Sequence, residues 1–223
     1  MTSADKNDQD TKTARAAQNA KDLELVNRAR SGDRQAFGKL VETYQRRVYA
    51  IAFGILRSRE DAWDAAQEAF VKAYKNLDRF EGTSAFYTWM YRITYNLSID
   101  HLREKKRRET TDLDENRRLE EALEDAGRKV SEHPDEMSGR KELSRVLHEA
   151  MDKLTDKHRA IIVLREVEGL SYEEMADVLG ISKGTVMSRL FHARKNLQAL
   201  LRPYVDAGEG VPESLQLAVS GAA

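Results

Sequence analysis

Lys183, Thr185, Ser188, Arg189, His192 and Lys195 share one side of a single helix-length segment, and from Lys183 to Arg202 there are five Lys or Arg and no acid. Cations and short hydroxyls on one helix face reach phosphates and base edges when that helix enters the major groove of duplex DNA. A second set lies upstream. Phe80, Phe86, Tyr87, Trp89, Tyr91 and Tyr95 crowd into sixteen positions, interleaved with Arg92 and followed by Asn96 and Arg103. Unpaired bases stack on rings while phosphates seek cations, so this mixture suits single-stranded DNA. Phe86 and Trp89, flanked by Met90 and Ile93, read more readily as core than as stacking platforms. A third set is Asp64, Gln67 and Glu68, which helical spacing puts on one side while Trp63, Ala66, Phe70 and Val71 turn elsewhere. Such a face suits a basic protein partner, though a merely hydrated helix would show it too.

The elements that position these residues are helical. Ser171 followed three residues later by Glu174 is a capping box, and Met175, Ala176, Val178 and Leu179 supply the apolar side of the short helix it opens. Gly180 closes that helix, Ile181 plugs the corner, and Ser182 caps the next, whose seam is Val186, Leu190, Ala193 and Leu197. This is a helix-turn-helix. Earlier in the chain, helical patterning is expected from near Lys21 to Ser31-Gly32, then from Asp33 through Ile55, from about Glu60 to Leu77, and from about Ala85 to Lys106. It returns at Gly139.

Composition sets the outer bounds. The chain has 223 residues, 40% hydrophobic and 34% charged, too polar for one dense globule. With three prolines and no alternating runs of β-branched residues, the expected fold class is all-α, with two small helical domains joined by a flexible acidic linker and a helix-turn-helix in the second. The net charge of -1 conceals opposed blocks, because eleven acids face four bases between Glu109 and Glu136. The absence of cysteine excludes disulfides and thiolate metal sites. His101, His133, His148, His158 and His192 do not pair at ligand spacing, so neither metal nor cofactor is expected. No catalytic Ser, Tyr or carboxylate constellation stands out, and a non-enzymatic role follows. The longest apolar run is far short of a membrane span, and the first twenty residues lack the apolar core of a secretory signal, so a cytoplasmic protein without direct membrane insertion is expected.

Taken in order, DAWDAAQEAFVKAYKNLDRF, FYTWMYRITYNLSIDHLR and LSYEEMADVLGISKGTVMSRLFHARKNL resemble regions two and four of the sigma-70 family of bacterial transcription initiation factors, in particular the small extracytoplasmic-function group. The likeness covers roughly Leu23 to Arg108 and Gly139 to Leu201. It implies a domain over 21–108 that binds core RNA polymerase and recognises and melts the -10 element, and a domain over 139–202 that reads the -35 element. Between them, 109–138 would be an acidic linker threading toward the polymerase active-site channel; 1–20 would be a disordered leader and 203–223 a flexible tail. The resemblance implies that Asp64, Gln67 and Glu68 dock on the clamp helices of the largest polymerase subunit. It implies that the loop from Phe80 to Phe86 captures a flipped base, with Phe80, Phe86, Arg92, Asn96 and Arg103 as -10 contacts. Lys183, Thr185, Ser188, Arg189, His192 and Lys195 would read the -35 element. The expected partners are core RNA polymerase, promoter DNA both duplex and melted, and an anti-sigma factor. The runner-up, a helix-turn-helix regulator that does not join polymerase, leaves Asp64, Gln67 and Glu68 unexplained.

Overall fold

Capping residues mark where most of the helices begin. A computed structural model describes residues 3–120 and 139–206, with side chains over 13–108 and 145–204. The remainder of the expected linker, 121–138, and the end of the expected tail, 207–223, lie outside the described residues. Among the described residues all regular structure is helical: α1 (Ser3–Arg30), α2 (Arg34–Leu56), α3 (Arg59–Lys75), a 3-10 turn (Leu77–Arg79), α4 (Phe86–Glu120), α5 (Gly139–Asp152), α6 (Asp156–Ile162) with a π-helical continuation (Val163–Val167), α7 (Tyr172–Leu179) and α8 (Lys183–Asp206).

Asp33 caps α2 by accepting from Gln35 N at 3.0 Å and Ala36 N at 3.2 Å, and Ser58 Oγ caps α3 by accepting from Asp61 N at 3.2 Å. The pattern read from sequence for α2 is the buried stripe in fact, with Leu40, Tyr44, Val48, Ile51 and Ile55 all sealed. Opposite them α3 presents Ala62, Ala65, Ala66, Ala69 and Ala73, which let α2 and α4 approach closely. Phe86, Met90, Tyr91 and Leu97 of α4 close this core, each buried aliphatic side chain contributing about 1.5–3 kcal/mol. In the C-terminal helices, Ile161, Leu164, Leu170, Met175, Val178, Val186 and Leu190 form the corresponding interior, and they join the first core as one continuous apolar cluster.

Three boundaries differ from expectation. α1 begins at Ser3 rather than near Lys21, so residues expected to be a disordered leader are helical. Their Ala, Gln and Lys content permits a helix, and two bonds secure its later turns: within the helix Gln18 Nε2 donates to Asp22 Oδ1 at 2.8 Å, and Arg15 Nη2 makes a tertiary bond to Gly169 O, far along the chain, at 2.8 Å. α4 continues past Arg108 to Glu120, into the segment expected to be linker, with Arg108 reaching Glu104 one turn back at 2.5 Å. α8 runs through Pro203 to Asp206, because a proline this close to the end of a helix forfeits little hydrogen bonding.

Candidate functional site

The helix-turn-helix forms as its sequence dictates. Ser171 Oγ accepts from Glu174 N at 3.2 Å and the Glu174 carboxylate accepts from Ser171 N at 2.6 Å, closing the capping box. Gly180 ends α7 at φ 64°, the left-handed region that glycine enters without strain. Ser182 Oγ accepts from Thr185 N at 3.2 Å and opens α8. Val186, Leu190 and Ala193 are buried, which leaves Lys183, Thr185, Ser188, His192 and Lys195 exposed and Arg189 half-buried on the outer side. Lys183 is paired with Glu173, and Ser188 Oγ donates to Thr185 O at 3.2 Å. Two residues that sequence reasoning left out join this face: Met187 and Phe191, one turn apart, are 51% and 64% exposed. Their signal was available, since both fall outside the four-three-four seam and no core position needs them.

On α4, Arg92, Asn96 and Arg103 are all exposed, and Arg103 Nη1 reaches Asp100 Oδ1 at 3.4 Å. Phe80 and Phe86 require a correction. They are 3% and 2% exposed, and with Trp89 they make a three-ring wedge, with centroids 5.4 to 5.9 Å apart. Neither ring offers a free face to a base; together they brace the loop between the 3-10 turn and α4. That loop walls an open cavity of about 470 Å³ lined by Phe80, Thr83, Ser84, Trp89 and Arg92, and by Asp177 from α7. Tyr87 donates to Glu174 of α7, and Tyr91 Oη donates to Glu168 Oε2 at 3.1 Å. Burial and the Glu174 carboxylate push the Tyr87 hydroxyl up to about 12. Burial, followed by Glu168, raises Tyr91 further.

Asp64, Gln67 and Glu68 share an exposed side of α3, and Glu68 Oε2 lies 3.2 Å from His101 Nε2 of α4. Of the two aromatics placed away from that side, Phe70 is buried and Trp63 is not. Trp63 is 52% exposed, leaning on Tyr49 with centroids 4.9 Å apart, and Val71 and Tyr74 are exposed at 51% and 44%. Alanines and Phe70 fill the buried side of α3, so Trp63, Val71 and Tyr74 are left outside, flanking the acidic ridge with apolar surface.

Residues 40–108 match sigma-70 region 2, and residues 144–197 match sigma-70 region 4. Over 183 residues the chain is 40% identical to the RNA polymerase sigma-H factor of Pseudomonas aeruginosa, covering 82% of this chain and 94% of that relative. The chain belongs to the sigma-70 family. The ECF RNA polymerase sigma-E factor of Escherichia coli K12 is 37% identical over 187 residues, covering 82% of this chain and 96% of its own, which places the protein in the extracytoplasmic-function group. Among solved structures, CnrH in complex with the cytosolic domain of CnrY is similar at 31% identity and a TM-score of 0.58, covering 82% of this chain and 98% of that one. The sigma factor RpoE in complex with the anti-sigma factor NepR from Bartonella quintana has the same TM-score at 27% identity, covering 74% and 96%. The protein is thus an alternative sigma factor, directing RNA polymerase to promoters. Its region 2 is what a helix-turn-helix regulator working apart from polymerase would lack. Among the described residues no cluster of three His, Asp or Glu is arranged to hold a metal, and no helix is long and apolar enough to cross a membrane.

Proposed function

We propose that this sigma factor divides its work among three surfaces. Asp64, Gln67 and Glu68 on α3, flanked by Trp63, Val71 and Tyr74, dock on the basic clamp helices of the largest polymerase subunit. Arg92, Asn96 and Arg103 on α4 contact the -10 element as it melts, and the cavity beside Thr83, Ser84 and Arg92 receives an unpaired base. Lys183, Thr185, Ser188, Arg189, His192 and Lys195 read the -35 duplex, joined by Met187 and Phe191, whose apolar surface suits thymine methyl groups. Phe80 and Phe86 act as buried supports of the capture loop. The observation that carries this reading is an exposed acidic ridge on α3 in the same chain as a helix-turn-helix whose second helix keeps acids off its outer face.

The division assigns 21–108 to polymerase and the -10 element and 139–202 to the -35 element, with the acidic segment after α4 passing toward the positively charged active-site channel. Such a protein works in the cytoplasm and performs no chemistry itself. Two similar structures contain a bound partner, CnrY in one and the anti-sigma factor NepR in the other. An anti-sigma factor is accordingly the expected regulator here.

Promoter-dependent run-off transcription with core polymerase tests the assignment. Gln67→Ala combined with Glu68→Ala abolishes assembly with core, and transcript falls in proportion. Arg189→Ala still assembles but loses upstream recognition, at a cost on the order of 1–3 kcal/mol for a base-reading residue. Full core binding by the double variant would remove α3 as the docking element.

A further inference from the structure

The loop that walls the cavity beside Arg92 runs from the 3-10 turn to α4, and helix α1 holds it at its entry, its crown and its exit. At the entry, Arg30 Nε and Nη2 donate to Leu77 O at 3.1 and 2.9 Å, and Nη2 also donates to Phe80 O. Asp78 O lies at the edge of bonding distance, 3.5 Å from the same nitrogen. At the crown, Gly82 takes φ 72°, and Leu23 Cδ1 stands 3.6 Å from where a Cβ on Gly82 would be. At the exit, Asp22 accepts from the Tyr44 hydroxyl, and the Tyr44 ring lies against Phe86 with centroids 5.7 Å apart. Asp22 and Leu23 stand about two turns before Arg30 on α1, and the buried Val26 and Ala29 between them seat that helix on the first core.

Arg30 carries most of this attachment. The last carbonyls of a helical turn have no amide of a following turn to meet them, so a loop that leaves them bare is free to change course. A guanidinium answers several carbonyls at once, because its donors sit in a fixed planar fork. A lysine ammonium, a point charge on a flexible stem, does not. Bonds from a charged donor are also stronger than neutral ones. What they fix here is the backbone that brings Thr83 and Ser84 to the cavity wall. Hydrogen bonds to a base edge weaken steeply once distance or angle drifts, so a loop displaced by about an ångström offers a hollow that no longer discriminates among bases. Arg30 lies ahead of residues 40–108, the part of the chain that matches region 2.

We propose that Arg30 is a positioning residue for base capture: by gripping the carbonyls of Leu77 and Phe80 it fixes the course of the loop from Phe80 to Phe86, and so sets how sharply the cavity chooses its base. The proposal rests on the capture role given to that loop above. It gives α1 a part in promoter selectivity that it plays through the backbone of the loop.

The test uses holoenzyme assembled from core polymerase and the full-length chain, bound to single-stranded -10 oligonucleotides. 2-Aminopurine, placed at each position in turn, brightens where the wild type draws a base out of the stack. With the four natural bases at that position, Arg30→Met reduces the ratio of best to worst affinity about three- to tenfold, the worth of charged hydrogen bonds that solvent partly reaches. Affinity for an oligonucleotide abasic at that position stays near wild type, because the side chains of α4 are untouched. Arg30→Lys recovers part of the ratio, since an ammonium can still meet one carbonyl. Ile51→Val, about two turns along α2 from Tyr44, lowers the melting temperature but keeps the ratio, which separates positioning from general stability. Hydrogen exchange at the amides of 81–85 reads the loop directly and quickens severalfold in Arg30→Met. A wild-type ratio in Arg30→Met, an equal loss in Ile51→Val, or an abasic affinity that falls as far as that for the best base overturns the proposal, and so does unchanged exchange. A wild-type holoenzyme that draws out no base, while exchange still quickens in Arg30→Met, overturns the capture reading and the selectivity claim with it.

Discussion

A buried carboxylate survives only where donors meet it, and Asp22, at 1% exposure, is met by the Tyr44 hydroxyl and by Gln18 Nε2 at 2.8 Å. Burial raises its pKa above 3.8, and the bonds from Tyr44 and Gln18 oppose that rise without cancelling it. A carboxyl raised in the folded state favours folding below its unfolded pKa, and this advantage is lost as pH rises through the folded value. Tyr44→Phe removes one donor and pushes the group higher still. Urea denaturation should show a loss of about 1–3 kcal/mol at pH 7 and a smaller one at pH 4; equal losses at both would mean the bond matters little to the ionised form. Phe191 poses the opposite case, a large apolar side chain left 64% exposed. Phe191→Ala should leave the melting temperature within a degree or two of wild type, since little packing is lost. It should still weaken -35 duplex binding severalfold in a fluorescence-anisotropy titration. A fall in stability with unchanged binding would instead make the ring structural.

The helix-turn-helix depends on one backbone position. Gly180 takes φ 64°, and an added Cβ would meet nothing within 4 Å, so Gly180→Ala is opposed by conformation alone. The cost should be about 1–2 kcal/mol in thermal or denaturant unfolding, with Gly180→Asn less affected because asparagine tolerates the left-handed region. A neutral Gly180→Ala would show that the turn relaxes. Such local grammar is why this element was legible in the sequence: capping box, turn glycine and seam all lie within about thirty residues and require no distant partner. The start of α1 was not legible, because the bond from Arg15 to Gly169 spans most of the chain. Phe80 and Phe86 were ambiguous for a different reason. Rings among cations fit either a core or a stacking platform, and only the proximity of Trp89 decides for the core. The exposure of Trp63 was not legible, because spacing alone does not show that alanines, with Phe70, make up the packing side of α3.

At the scale of the whole molecule, the contact between the N- and C-terminal helices buries an acid, and that links the fold to pH. Glu168 follows the π-helical turn, accepts from Tyr91 of α4 and faces Arg47 of α2, in a cavity of about 390 Å³ that also exposes Arg15, Tyr44 and Tyr87. Burial raises its pKa above 4.5, against the lowering effects of Tyr91 and Arg47. A carboxyl raised in this way favours the fold below its unfolded pKa, and the advantage is lost as pH rises through the folded value. Two other groups act in the opposite sense. Glu174 is pulled below its usual value, burial being outweighed by its bonds from Tyr87 and Ser171, so its contribution is lost as pH falls. His158 is lowered by burial and by His192 and Arg189, so it too withdraws stability in acid. Glu168→Gln can still accept from Tyr91 without carrying a charge. In thermal unfolding it should therefore melt above wild type at pH 7.5, with the difference narrowing as the pH falls toward 4.5. A difference that did not change with pH would mean that the Glu168 charge does not bear on the packing of the two sets of helices.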